Sequence, residues 1–154
     1  MTDLLQGEYA PSAQQWVRDQ VDLYESTDGK EGWHLADRED WPIVVITSVG
    51  ARSGKLRKNP VMRVEHDGRY LAVASKGGAP RNPIWYRNFL ANPLVQVQDG
   101  AEPELYRARL VEDQGEYDEW WKRAVEVYEP YAEYKPRAEA SGRTIPLFVL
   151  EPVD

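Results

Sequence analysis

The most concentrated positive charge in the chain lies in one short segment that glycines punctuate. Residues 50–58 read Gly-Ala-Arg-Ser-Gly-Lys-Leu-Arg-Lys, with four cations in a chain whose formal net charge is -7. Glycines allow backbone amides to turn toward a ligand, Ser53 adds a hydroxyl donor, and guanidinium groups fork onto phosphate or carboxylate oxygens. The composition indicates a turn that can bind an anion, and a solvated hairpin tip is the competing interpretation of the same charges.

Spacing separates this segment from the phosphate and hydrolase motifs that it partly resembles. A P-loop places four residues between its glycines and a Ser or Thr after its Lys, whereas here three residues intervene and Leu56 follows the Lys. Ser53 also lies in the wrong register for a G-x-S-x-G nucleophile elbow. Hydrolysis of nucleotide triphosphates is therefore excluded as an interpretation.

A second candidate follows a strand and reads Ala-Ser-Lys-Gly-Gly-Ala over residues 74–79. Ser75 and Lys76 supply donors, and the two glycines permit close approach of the backbone to a ligand. Loops at strand ends commonly carry functional sites. A flexible connection to the next helix is the simpler interpretation of this motif alone.

Three tyrosines form the third candidate. Tyr128, Tyr131 and Tyr134 have the spacing of one helix face, provided that a helix restarts at Pro130. Phenols can stack on a flat ligand and donate protons. Core packing is the more common role of aromatic residues at this spacing, although the charged residues between these tyrosines weaken that preference.

Composition excludes several other chemistries and partners. There is no Cys, so disulfides, thiolate zinc sites and cysteine nucleophiles are ruled out, and the isolated His34 and His66 argue against a metal site. A sequence pI near 4.9 makes nucleic acid a poor partner. The first residues contain neither a signal-peptide core nor a membrane span, so we expect a cytoplasmic protein. Contact of the amino-terminal helix with the inner face of the membrane is left open.

Helical spacing predicts three helical regions that could position these candidates. Each begins with a capping signature, in which a short polar side chain or a proline suits the free amides of the first turn. The signatures are Ser12 with Gln15, Asn82 with Pro83, and Asp113 with Glu116, and the corresponding helical regions lie within residues 1–30, 82–92 and 113–139.

Six short strands, joined mostly by hairpins, complete the outline. A continuous apolar run over 42–47 predicts a buried strand, and Asp67-Gly68 is the strongest hairpin signal. The last strand, over 145–150, lies beside prolines that suit a sheet edge or a strand start. A chain of 154 residues has material for one domain, with residues 41–152 as its barrel. The pattern favours a mainly β or α+β fold with a closed or partly closed antiparallel barrel.

Four strings in a fixed order resemble a known family. They are residues 50–60, 74–86, 91–97 and the Arg-Thr-Ile-Pro string at 143–146. Together they are similar to the deazaflavin-dependent nitroreductases and F420-dependent quinone reductases. The resemblance implies an FMN-binding split-barrel-like fold of about six antiparallel strands with flanking helices. It also implies coenzyme F420, an 8-hydroxy-5-deazaflavin, whose acidic tail would explain the cationic turn.

The resemblance further implies roles for individual residues. The phosphate and tail of the cofactor would meet Ala51, Arg52, Ser53 and Arg57. The deazaflavin would lie along Lys58, Asn59, Pro60, Val61 and Met62, mostly through backbone contacts. The remaining cofactor residues would be Val73, Ala74, Ser75, Lys76, Ile84, Trp85, Tyr86, Arg87, Asn88 and Tyr131. The acceptor pocket would use Met62, Ser75, Tyr128 and Tyr134, and the catalytic proton would come from Tyr131, Ser75 or water.

The reaction implied by the resemblance is hydride transfer. F420 passes a hydride from its reduced central carbon, so the acceptor would be a quinone, an enone or a nitroaromatic compound. Met62 stands where the nitroimidazole-activating relative has a tyrosine, which leaves the acceptor preference open. Two alternatives remain, namely a split-barrel reductase that binds FMN and a non-catalytic carrier of F420. The sequence leaves the formation of a homodimer open.

Overall fold

Seven antiparallel strands form one sheet in the computed structural model, which describes residues 4–153. In chain order the strands are β1 (Ile43–Val49), β2 (Leu56–Met62), β3 (Val64–His66), β4 (Arg69–Val73), β5 (Leu94–Gln98), β6 (Pro103–Leu110) and β7 (Leu147–Pro152). Their order across the sheet is β2-β1-β5-β6-β7-β4-β3. Adjacent strands pair antiparallel throughout, as the hairpin signals predicted.

The sheet curls because its two edge strands follow each other in the chain. β2 and β3 lie at opposite edges, and Arg63 alone separates them. The Arg63 amide donates to the Pro42 carbonyl at 2.8 Å, and β2 lies against β4. The predicted α+β fold with a partly closed antiparallel barrel is confirmed. The strand count differs from six because residues 56–66 bend at Arg63 into two strands.

Helices cover both faces of the sheet. The helices are α1 (Gln15–Ser26), α2 (Ile84–Ala91), α3 (Gln114–Val127) and α4 (Tyr131–Ala140). Val44 and Ile46 of β1 pack on one face with Phe148 and with aromatic residues of α2. Ile43 and Val45 pack on the other face with α1, α3 and α4. Burial on both faces explains why β1 is continuously apolar and does not alternate.

The amino-terminal helix is fixed to the sheet by its buried face. Val17, Val21 and Tyr24 of α1 are buried, and the Tyr24 hydroxyl donates to the Gln98 carbonyl at 3.1 Å. The predicted capping box is wrong. The Ser12 hydroxyl accepts from the Gln14 amide at 3.1 Å, and α1 begins after Gln14 without a side-chain cap.

The predicted starts of α3 and α4 are confirmed, and the predicted start of the last strand is not. The Asp113 carboxylate accepts from the Glu116 amide at 2.9 Å, which confirms the cap of α3. Pro130 is the N-cap of α4, so the helix restarts there as expected. β7 begins two residues later than predicted and lies inside the sheet, between β6 and β4. Its proline is tolerated there because Pro152 is the last residue of the strand.

Within residues 4–153, no helix combines the length and the apolar character needed to cross a membrane.

Candidate active site

A cavity of about 640 Å³ lies where β2, the loop after β4, α2 and the turn between α3 and α4 approach one another. It brings together parts of all three sequence candidates. Arg57 represents the cationic segment, Ser75 and Lys76 represent the loop after β4, and the tyrosines of the third candidate form another part of its wall. Residues that lie far apart in the chain therefore share one concave surface, which is the usual form of a small-molecule site.

Strand β2 divides the cationic segment between two environments. Arg57, Asn59 and Val61 alternate along the strand and line the cavity. The Lys58 ammonium lies 2.5 Å from the Glu25 carboxylate of α1. The Lys55 ammonium lies 3.1 Å from the Glu8 carboxylate. Two of the four cations are thus engaged by acidic residues of the amino-terminal segment.

The glycine turn before β2 is ordered by its own backbone. The Gly50 amide donates to the Lys55 carbonyl at 2.8 Å, and the Gly54 amide donates to the Gly50 carbonyl at 3.0 Å. The Ser53 hydroxyl accepts from the Lys55 amide at 3.1 Å. The turn covers residues 50–55, since Leu56 already belongs to β2. The segment is therefore an ordered hairpin turn, and its Arg52 side chain is exposed.

Helix α2 connects this turn to the cavity. The buried Asn88 side chain accepts from the Ala51 amide at 2.9 Å through its Oδ1 atom. Asn88 also lines the cavity, together with Ile84 and Trp85 of the same helix. The Trp85 and Phe89 rings pack 6.2 Å and 5.3 Å from the Phe148 ring of β7, so the helix is held by the aromatic cluster of the barrel.

The loop after β4 adopts a rare backbone conformation. Lys76, Gly77 and Gly78 have φ values of 46°, 64° and 79°, all in the left-handed region. A lysine in that region costs roughly 1–2 kcal/mol relative to ordinary backbone. A Cβ on Gly78 would lie 2.7 Å from the Tyr134 carbonyl oxygen, which explains why a glycine is required there. The loop therefore presses closely against α4.

Arg143 holds this loop from the carboxyl side of α4. Its guanidinium donates to the carbonyls of Ala74 at 2.8 Å, Ser75 at 2.5 Å and Ala79 at 2.8 Å. It also donates to the Asn82 side chain at 2.6 Å. Asn82 was predicted to cap α2, and this is wrong because Pro83 is the N-cap residue.

The tyrosine candidates form a compact aromatic cluster at the cavity wall. The hydroxyls of Tyr128 and Tyr134 lie 2.9 Å apart in a hydrogen bond, which leaves Tyr131 as the phenol outside that pair. The Tyr131 ring is buried and meets the Tyr128 ring edge to face at 4.9 Å. Burial raises the pKa of Tyr131, and burial together with the bond to Tyr134 raises the pKa of Tyr128. Both phenols are therefore protonated at neutral pH and can act as donors.

Comparison with known proteins decides the family. The family model described as F420H(2)-dependent quinone reductase matches residues 16–152. The chain belongs to this family. Membership makes the chain an oxidoreductase of the F420-dependent reductase type, as the sequence resemblance implied.

Two individual relatives agree with the family model. The F420H(2)-dependent quinone reductase Rv1261c of Mycobacterium tuberculosis is 31% identical over 130 residues, which are 83% of this chain and 84% of the relative. A solved structure of an F420-H2 dependent reductase (FDR-A) is 51% identical, with a TM-score of 0.65 over 71% of this chain and 94% of that one. The matched regions thus cover most of both relatives.

A more distant structure supports the fold alone. A putative pyridoxamine 5'-phosphate oxidase from Listeria innocua is 15% identical, with a TM-score of 0.50 over 73% of this chain and 84% of that chain. The curled antiparallel sheet is therefore also found in a protein of low sequence identity to this chain.

Most residues that the family resemblance singled out line the cavity, and some lie elsewhere. Those in the lining are Arg57, Asn59, Pro60, Val61, Met62, Val73, Ser75, Lys76, Ile84, Trp85, Asn88, Tyr128, Tyr131 and Tyr134. Ala51, Arg52 and Ser53 lie in the turn beyond the lining, and Lys58 faces Glu25. Ala74 and Tyr86 belong to the apolar cluster of the barrel, and the Arg87 side chain is exposed.

Sequence patterns did not indicate the amino-terminal part of the cavity wall. Gln14, Trp16 and Val17 line the cavity, and Leu35 joins them from the segment before β1. Trp16 is 56% exposed and Ile84 of α2 is 78% exposed, so these two side chains form an apolar rim. Trp16 follows the helical spacing of its buried neighbours in α1 but is more than half exposed, because periodicity alone does not show which partner a helix face meets. Arg143 was likewise only part of a motif, because its role depends on carbonyls that lie distant in the chain.

Proposed function

We propose that this member of the quinone reductase family binds reduced F420 and a quinone in the 640 Å³ cavity and transfers a hydride between them. The observation that carries the proposal is the convergence of three groups on one cavity. These are a guanidinium from β2, a donor loop with left-handed backbone, and a cluster of protonated phenols. The guanidinium suits the acidic part of the cofactor, and the donor loop suits its polar ring edge. The phenols suit an acceptor that gains negative charge.

The cationic end of the cavity fits the acidic tail. Arg57 lines the cavity, and Arg52 is exposed in the adjoining turn. Lys55 and Lys58 are engaged by Glu8 and Glu25, so among the four cations of residues 50–58 the two arginines are best placed for a ligand. Guanidinium groups fork onto phosphate and carboxylate oxygens. We propose that these arginines, with Ala51 and Ser53, hold the phosphate and tail.

The apolar walls fit a tricyclic ring. Val61 and Met62 of β2 and Ile84 and Trp85 of α2 contribute apolar surface to the cavity lining. We propose that the ring lies along residues 58–62 and meets residues 73–76 and 84–88, with Lys58 contributing only its backbone because Glu25 holds its ammonium. Asn88 contributes polarity on this wall, since the bond from Ala51 to its Oδ1 leaves the amide nitrogen available as a donor.

When bound, F420 supplies the hydride. The residues of this chain orient the cofactor and the acceptor, shield both from water and donate a proton to the acceptor. Aromatic and aliphatic walls exclude water from the reacting groups. Reduction of a quinone places negative charge on an oxygen, which then needs a proton. We propose that Tyr131 donates it, with Ser75 as the second candidate donor. Burial raises the pKa of Tyr131, so the phenol stays protonated at rest but is a weak acid, and it donates only to an oxygen that has become strongly basic.

The acceptor pocket is assigned to the residues around this phenol. We propose that Met62, Ser75, Tyr128 and Tyr134 shape it. Met62 is buried, and its flexible thioether adapts to acceptors of different outline. Enones and nitroaromatic compounds present the same electrophilic character as a quinone, so we propose them as further acceptors.

The experiment is oxidation of reduced F420 by purified protein with menadione as the acceptor. We expect turnover that requires both compounds, together with tighter binding of F420 than of FMN in a parallel titration. Binding of F420 without oxidation by any of several quinones would identify a carrier and reject the enzyme. Tighter binding of FMN would reject F420 as the cofactor.

We also propose that the chain forms a dimer. A solved relative described as a domain-swapped dimer is 47% identical, with a TM-score of 0.68 over 91% of this chain and 100% of that chain. Light scattering on the purified protein tests this proposal, and a monomeric mass at micromolar concentration would reject it.

A further inference from the structure

The Arg143 side chain makes several hydrogen bonds near the cavity and has no role in the proposed hydride and proton transfer. It follows Gly142 after the end of α4, and its own amide donates to the Ala138 carbonyl at 3.0 Å. The guanidinium then reaches four oxygen atoms at 2.5 to 2.8 Å. All four are neutral oxygens of residues 74–82, so this cation shapes a loop rather than neutralising an acid.

The carbonyls that Arg143 holds determine where the neighbouring amides point. In a planar trans peptide, the carbonyl of one residue and the amide of the next residue point in opposite directions. Arg143 binds the carbonyls of Ala74 and Ser75. The amides of Ser75 and Lys76 must therefore point away from Arg143, and both residues line the cavity. A cation on the carbonyl also polarises the peptide group and strengthens its amide as a donor.

The same loop is fixed to the helix that carries the phenols. The Arg137 guanidinium of α4 donates to the Gly77 carbonyl at 2.9 Å. Gly78 lies so close to the Tyr134 backbone that even a methyl group would clash. The distance between the loop amides and the tyrosines is thus set by packing and by arginine bonds, and the strained Lys76 backbone persists because these contacts hold it.

We propose that Arg143 is a positioning residue, which fixes residues 74–79 so that the amides of Ser75 and Lys76 donate to a carbonyl oxygen of the bound ligand. The inference rests on the proposed function for the nature of the ligand. Two ligands carry such an oxygen, the deazaflavin ring and the quinone. The shared chemistry is an electron-rich carbonyl that accepts two hydrogen bonds.

The test compares Arg143→Lys and Arg143→Ala with a matched control, Arg109→Ala. Arg109 also forks onto several oxygens, those of Glu116 and Glu151 at 2.8 to 3.1 Å, but it lies outside the cavity lining. Misplacement of reacting groups by about 1 Å can cost on the order of 100-fold. We expect kcat/KM to fall roughly 10- to 100-fold in both Arg143 variants and to stay within about threefold of wild type in Arg109→Ala.

A titration with oxidised F420 identifies which carbonyl is bound. Weaker F420 binding in Arg143→Lys assigns the amides to the deazaflavin, whereas a lower kcat with unchanged F420 binding assigns them to the quinone. Both results support the positioning role. A folded Arg143→Lys protein with wild-type kcat, KM and F420 affinity would overturn it.

Amide hydrogen exchange gives a readout that does not depend on turnover. We expect exchange at residues 75–78 to accelerate in Arg143→Lys and to stay unchanged in Arg109→Ala. If the wild-type protein fails to oxidise reduced F420, the proposed function fails, and the exchange data still decide whether Arg143 holds the loop. Should Arg143→Ala not fold, Asn82→Ala removes one acceptor of the guanidinium and should give a smaller acceleration at the same amides. Unchanged exchange in every variant would overturn the inference.

Discussion

The Asn88 side chain accepts a hydrogen bond from the Ala51 amide at 2.9 Å, across 37 positions of the chain. This bond joins the cationic turn, which lies beyond the cavity lining, to helix α2, which lines the cavity. The Asn88 side chain therefore couples the turn that carries Arg52 to the part of the cavity wall that α2 forms. Stability and ligand binding should be coupled at this point.

Removal of the Asn88 side chain tests that coupling. We expect Asn88→Ala to lower the free energy of unfolding by about 1–3 kcal/mol, because a buried side chain and its hydrogen bond are lost. Asn92→Ala is the matched control, since the Asn92 amide makes only a 3.4 Å contact with the Val49 carbonyl. Urea denaturation measures both variants. Equal losses in the two variants would show that the bond to Ala51 adds nothing specific.

The proton donor is tested by Tyr131→Phe. General acid catalysis contributes roughly 10²- to 10⁴-fold, so we expect turnover to fall at least tenfold while F420 affinity changes much less. Tyr117→Phe is a matched control, because Tyr117 is also a buried phenol but donates to the Ile145 carbonyl away from the cavity. Steady-state kinetics with menadione measures both. Wild-type turnover in Tyr131→Phe would reject Tyr131 as the donor and direct attention to Ser75.

The close contact between the loop after β4 and helix α4 predicts a steric effect at Gly78. Gly78→Ala adds a methyl group 2.7 Å from the Tyr134 carbonyl oxygen, whereas Gly68→Ala at a similar φ meets open space. We expect Gly68→Ala to cost about 1 kcal/mol from backbone strain alone, and Gly78→Ala to cost several times more. Thermal denaturation compares the two. Equal destabilisation would show that the contact with α4 is loose.

Alkaline pH should destabilise the protein through its buried phenols. Burial raises the pKa of Tyr117 to about 12 from the ordinary 10.0. Its protonated form is favoured in the folded state, so this contribution to stability is complete below pH 10. It is lost as the pH rises from 10 to 12, at on the order of 1 kcal/mol per pH unit. Unfolding free energies measured across this range should decline less steeply in Tyr117→Phe, and an identical slope would contradict the assignment.

Much of the fold could be predicted because its signals are local. The Asp113 cap, the helix restart at Pro130 and the apolar run of β1 each depend on residues within a few positions of one another. The barrel followed from hairpin spacing. The bend at Arg63 was missed because it depends on the meeting of two sheet edges that hairpin signals do not describe.

The candidate site was predictable only in outline. A charged segment indicates an anion site, but strand alternation directs Arg57 to the cavity and Lys58 to Glu25, and that register becomes evident only from pairing with β1. Arg143 and Trp16 gain their positions from contacts made across the chain. Residue type alone carries no information about such contacts.

We propose above all that Arg52 and Arg57 bind the acidic tail of F420. The most direct measurement is the affinity of the Arg52→Gln/Arg57→Gln double variant for F420 and for a deazaflavin fragment that lacks the phosphate and glutamates. Hydrogen bonds to charged groups contribute about 1.5–3 kcal/mol each, so F420 binding should weaken at least tenfold. Binding of the fragment should change little, and Lys55→Gln should leave both affinities unchanged. Undiminished F420 affinity in a folded double variant would contradict the account.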